Sequence, residues 1–177
     1  MDYKTYITES RFCECDYTKL QITGPVRQLR LLHAAIGLST EMLELLEVNE
    51  GRRMNDALLE LGDICWFAAT ICDELGYVPT GKACSPVRLA MLAQWIEAAT
   101  SAIKAHIYYG RTLPDDFARS VGLILDAATS IGRTSLDRDP LAANLAKLRV
   151  RYADKFEAGR ANVRNTAAEA TAATANQ

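Results

Sequence analysis

The stretch from residue 26 to residue 75 reads VRQLRLLHAAIGLSTEMLELLEVNEGRRMNDALLELGDICWFAATICDEL, and its periodicity decides the fold. Placed on a helical wheel, Leu29, Leu32, Ile36, Leu43 and Leu46 fill one side of a first helix, and Leu31, Leu38, Met42 and Leu45 another. A polar band roughly 120° wide remains, carrying Arg30, His33, Thr40, Glu41, Glu44 and Glu47 with Gly37 in its middle. Asn49-Glu50-Gly51 is a stop and turn, and a second helix follows from Arg53 to Leu75. Apolar residues surround its narrow acidic stripe of Asp56, Glu60, Asp63 and Glu74.

Folding the two helices back across the turn places Glu41 and Glu60 each about 10 Å from it, at 1.5 Å of rise per residue. Glu44 and Asp63 fall a few ångströms to either side of that level. Four carboxylates, Glu41, Glu44, Glu60 and Asp63, thus converge between antiparallel helices that are apolar on most other sides. Like charges gathered in a half-buried place resist ionisation unless a cation balances them. Oxygen-only ligands favour hard ions, so the expected cofactor is Mg²⁺ or Mn²⁺.

Outward from this hairpin, the periodicity predicts further helices over 87–109 and 114–131, and another from 137–140 to about Phe156. No β-alternation of useful length and no solenoid repeat is present, so the expected fold is all-α, a helical bundle around an antiparallel metal-binding hairpin. Residues 1–25 read as an irregular arm, 26–160 as the folded domain, and 161–177, rich in Ala, Thr and Asn without an apolar face, as a flexible tail. On the fifth predicted helix Asn144, Lys147, Arg151 and Lys155 share one face, opposite Leu141, Leu145, Leu148, Tyr152 and Phe156.

Composition narrows the function classes. A chain of 177 residues suffices for one domain with a real core, and its 49% apolar and 24% charged content is ordinary for a globular protein. The net charge of −2 creates no field that would gather a nucleic acid polymer or an anionic membrane. No stretch approaches the roughly 20 apolar residues needed to cross a bilayer. Five cysteines, an odd number, without a secretory leader argue against a disulfide framework and for a reducing cytoplasm. Cys13 and Cys15 lack a second pair at zinc-finger spacing. His33 and His106 lack the Glu-x-x-His spacing of a di-iron bundle.

The residues His33, Glu41-Met42-Leu43-Glu44 and Glu60-Leu61-Gly62-Asp63-Ile64-Cys65-Trp66 resemble MazG-type pyrophosphohydrolases of the all-α nucleoside triphosphate pyrophosphatase superfamily. Their signature is E-x-x-E followed by E-x-x-D on the next helix, here with fifteen residues between Glu44 and Glu60. Many relatives carry a further acid where this chain has Thr40, so four carboxylates, not five, carry over. The resemblance implies cleavage of a (deoxy)nucleoside triphosphate to monophosphate and pyrophosphate, with two or three metal ions per site held by Glu41, Glu44, Glu60 and Asp63. It assigns Asn144, Lys147, Arg151 and Lys155 to the phosphates and implies a homo-oligomer, a dimer or a dimer of dimers. Phage-encoded members, among them a (d)GTP-cleaving type, share the pattern. A dimeric dUTPase and a phosphoribosyl-ATP pyrophosphohydrolase are rivals of the same fold, and a non-catalytic helical interaction protein is the rival from another class. Arg52 and Arg53, beside the turn, are further candidates for phosphate contact. Trp66 reads as core packing, whereas Phe67 lies within the acidic stripe and is the better candidate for touching a base.

Overall fold

A computed structural model describes residues 1–17, 25–51, 53–81, 87–152, 156 and 165–175. Seven α-helices and no strand occur among the described residues: α1 (Tyr3–Ser10), α2 (Val26–Glu50), α3 (Met54–Glu74), α4 (Leu89–Tyr109), α5 (Phe117–Ser135), α6 (Pro140–Tyr152) and α7 (Thr166–Ala175). The expected all-α class holds. None of these helices is long and apolar enough to cross a membrane.

α3 is the central rod. Leu58, Leu61, Ile64, Cys65, Ala68, Ala69, Ile71 and Cys72 are buried along it, covering more than one face, and it packs against α1, α2, α5, α6 and α7. A helix apolar nearly all round is stable in water only when surrounded. α2 folds back along it as expected, with Gly51 N–H donating to Glu47 O at 3.1 Å and Arg53 N–H to Val48 O at 3.0 Å through the turn. Of the two apolar sides read on α2, one is buried: Leu31, Leu38, Met42 and Leu45. The other is only partly covered: Leu29 is buried, whereas Ile36 and Leu43 are exposed.

Two glycines permit close helix approach. A Cβ at Gly62 on α3 would lie 2.8 Å from Asn144 Cβ on α6 and 3.1 Å from the Pro140 carbonyl oxygen. A Cβ at Gly37 on α2 would fall 2.2 Å from the Phe67 ring of α3. A larger residue at Gly62 would push α6 away from α3, and one at Gly37 would displace the Phe67 ring.

The ends of the chain differ from expectation. The segment read as an irregular arm contains α1, capped by Asp2, whose carboxylate accepts from Thr5 N–H at 2.9 Å and from the Thr5 hydroxyl at 2.7 Å. Tyr3, Tyr6, Ile7 and Ser10 are buried at helical spacing against the bundle. The Ala/Thr-rich segment read as a tail contains α7, packed on α6 and burying Glu169 and Ala173. Alanine has the highest helix propensity, and one buried ion pair anchors this weakly amphipathic helix. Lys155, Arg52 and Cys84 lie outside the described residues.

Candidate functional site

The hairpin brings three of the four predicted acids together. Carboxylate oxygens of Glu41 on α2 and of Glu60 and Asp63 on α3 lie within 4.8 Å of one another, and all three side chains are half-buried. Glu44, one helical turn from Glu41, is exposed and stands outside this group, although its charge still acts on both glutamates. Burial, the charge of Asp63 and the neighbouring Glu60 push the Glu41 carboxyl up to about 9. Burial, then the Asp63 charge, raises Glu60 as well. Such a set of oxygen-only donors could hold a hard cation, which would offset the repulsion among them.

Asp63 is fixed from α6. Asn144 Nδ2 donates to Asp63 Oδ1 at 2.6 Å, and Lys147 Nζ donates to Asp63 Oδ2. Asn144 Oδ1 in turn accepts from the Tyr6 hydroxyl at 2.6 Å. Tyr6 and Asn144 are fully buried and Lys147 is 1% exposed. Two residues that the resemblance assigns to phosphates are thus braced on an acid of the site. Arg151, the third, is placed differently: it joins Glu41 and Asp63 in the wall of a cavity and is gripped from behind by Glu169 of α7. Arg53 forms an exposed ion pair with Asp56 at 3.1 Å.

That cavity, about 550 Å³, has mainly apolar walls, with rings from Tyr17, His33, Trp66, Phe67, Tyr152 and Phe156 among them. The Trp66 and Phe67 rings meet edge-to-face at 4.7 Å between centroids, and His33 meets Phe67 the same way at 5.5 Å. His33 Nδ1 is 2.8 Å from the Tyr17 hydroxyl. Burial lowers the His33 pKa, which keeps the imidazole neutral at neutral pH. Trp66 is buried, as the reading of it as core required, and one part of it also faces the cavity.

Arg30 fastens the near wall. Its guanidinium donates to Glu14 Oε2 at 2.7 Å, to Asp73 Oδ2 at 2.6 Å and to Glu74 Oε2 at 3.0 Å. This ties the segment carrying Cys13, Cys15 and Tyr17 to the end of α3. Phe156 N–H donates to Phe12 O at 2.8 Å and closes the far side.

Sequence reasoning missed Tyr6, Tyr17, Tyr152 and Glu169. Tyr6 had a legible signal in the helical spacing of Tyr3, Tyr6 and Ile7. Glu169 had another, as the only charge between Thr166 and Ala175. Compared with protein-family models, with curated proteins and with solved structures, the chain matches none, so geometry and residue chemistry carry the functional reading.

Proposed function

We propose that this protein is a Mg²⁺- or Mn²⁺-dependent hydrolase that cuts a nucleoside triphosphate between the α- and β-phosphorus, releasing monophosphate and pyrophosphate. One observation carries the reading: a half-buried triad of carboxylates stands in and beside the wall of an aromatic cavity that also contains an arginine. The cavity offers ring faces to a nucleobase, Arg151 offers N–H donors to phosphate oxygens, and the acids stand beside both.

Glu41, Glu60 and Asp63 would hold the metal, with Glu44 at the margin. Divalent ions supply charge neutralisation for the polyphosphate and lower the pKa of a bound water. Asn144 and Lys147 hold Asp63 in one orientation, so that its oxygens need no reorganisation when an ion arrives. Phe67, wedged against Gly37, and Trp66 present rings to the base, while neutral His33 and Tyr17 supply the polar edge of the pocket. The paired E-x-x-E and E-x-x-D resemblance supports the same chemistry. Exposed Ile36 and Leu43 on α2 support a homo-oligomer.

Incubation with a panel of dNTPs and NTPs plus Mg²⁺ or Mn²⁺, read as pyrophosphate and monophosphate, tests the proposal. Glu60→Ala and Asp63→Ala are expected to abolish turnover while the helical circular dichroism persists. A wild-type chain that releases no pyrophosphate from any nucleotide, or variants with full activity, would end this reading and favour a non-catalytic helical protein. The same panel separates a general enzyme from a dUTP-specific one, and phosphoribosyl-ATP added to it tests the remaining rival.

A further inference from the structure

Glu169 is the sole charged residue on α7 and is 2% exposed. A carboxylate taken out of water on an otherwise neutral helix is tolerated only where a cation meets it with good geometry. Arg151 does so in a two-point fork: Nε donates to Oε1 at 3.0 Å, and Nη2 donates to Oε2. Arg151 is itself 13% exposed, and it stands in the same cavity wall as Glu41 and Asp63. The acids are the obvious competitor for this guanidinium, since the charge of Asp63 already acts on it. An arginine collapsed onto Asp63 would neutralise the acids and be lost to a substrate.

We propose that Glu169 is a positioning residue and that α7 is part of the site: Glu169 holds the Arg151 guanidinium on the cavity wall, clear of the acids, where it binds phosphate oxygens of a polyphosphate. This rests on the reading of the cavity as a triphosphate site. The two-point grip fixes the plane of the guanidinium as well as its position, which a single contact would leave free to rotate.

The experiment is a double-mutant cycle read by calorimetric titration of inorganic tripolyphosphate, with Mg²⁺ in excess, into the full chain. The variants are Glu169→Gln, Glu169→Asp, Arg151→Met and Glu169→Gln with Arg151→Met, each checked by circular dichroism. Glu169→Gln is expected to weaken binding roughly tenfold, the size of one charge-assisted hydrogen bond. Glu169→Asp, which keeps the charge, recovers part of that loss, and Glu169→Gln has no further effect once Arg151 is Met. Unchanged affinity in Glu169→Gln, or an equal loss in both backgrounds, overturns the proposal. If Glu169→Gln does not fold, Glu169→Asp in both backgrounds decides by the same criterion. A wild-type chain that cleaves nucleotides while its affinity ignores Glu169 discards this inference alone. One that neither binds tripolyphosphate nor cleaves nucleotides discards the reading beneath it too.

Discussion

Asn144 and Asp63 lie on different helices, far apart in the chain, yet Asn144 Nδ2 donates to Asp63 Oδ1 at 2.6 Å. The contact exists because Gly62 lets α6 approach α3 closely, and it is the second link of a buried chain that begins at the Tyr6 hydroxyl. The first helix, remote from the acids in sequence, therefore helps set the orientation of one of them.

Tyr6→Phe removes only the hydroxyl and leaves Asn144 Oδ1 without that donor in a fully buried place. The expected loss of stability is about 1–3 kcal/mol, measured by urea unfolding. With Asp63 less firmly held, the affinity for Mn²⁺ is expected to fall in the same variant, measured by titration. A variant as stable as wild type would show that the hydroxyl contributes nothing.

Glu41→Gln is expected to stabilise the ion-free protein. With its carboxyl pushed up from 4.5 to about 9, folded Glu41 keeps a proton that the unfolded chain has already released. The folded state binds more protons across that window, so its stability falls as pH rises from 4.5 toward 9. Urea midpoints in EDTA at pH 6 and pH 8.5 should therefore drop more for wild type than for Glu41→Gln. Mn²⁺ should restore the wild type at pH 8.5 and do much less for the variant.

His33 shifts the other way. Burial lowers its pKa from 6.5, so the unfolded state takes up the proton first and stability is lost as pH falls below 6.5. His33→Gln is expected to flatten this acid limb, seen as a smaller fall in midpoint between pH 7 and pH 5. An unchanged limb would place the acid sensitivity elsewhere.

Gly37→Ala places a methyl group 2.2 Å from the tip of the Phe67 ring. The ring must move, and overpacking of this kind costs about 1–3 kcal/mol. Because Phe67 forms part of the cavity wall, the Michaelis constant for a nucleotide is expected to rise more than turnover falls. Unfolding and steady-state kinetics on one preparation separate the two effects.

Much of the hairpin was legible in the sequence because a 3.6-residue period and a glycine turn are local signals. α2 and α3 begin and end close to where Leu, Ile and the Asn49–Gly51 turn place them, and Glu41, Glu60 and Asp63 meet as their heights above the turn require. Glu44 is exposed and stands outside the triad, because a height argument fixes the level along a helix but not where each side chain points. The roles of Asn144 and Lys147 were hidden since tertiary contact, not periodicity, aims them at Asp63. α1 and α7 were missed for opposite reasons. The first is short and carries its apolar period on tyrosines, whereas the second has almost no amphipathic contrast and docks through Ala173 and the Glu169 ion pair.

The hydrogen bond from Phe156 to Phe12 has a consequence for the order of assembly. Residues 26–75 contain the three acids and the turn that joins their helices, but not the α6 residues that brace Asp63. Tyr152, Phe156 and Arg151 leave the ribosome some eighty residues later, and only then can the aromatic enclosure close against Phe12. A translation product stopped before α6 would carry the acids without Asn144 and Lys147 to brace Asp63, and without the far wall of the aromatic cavity.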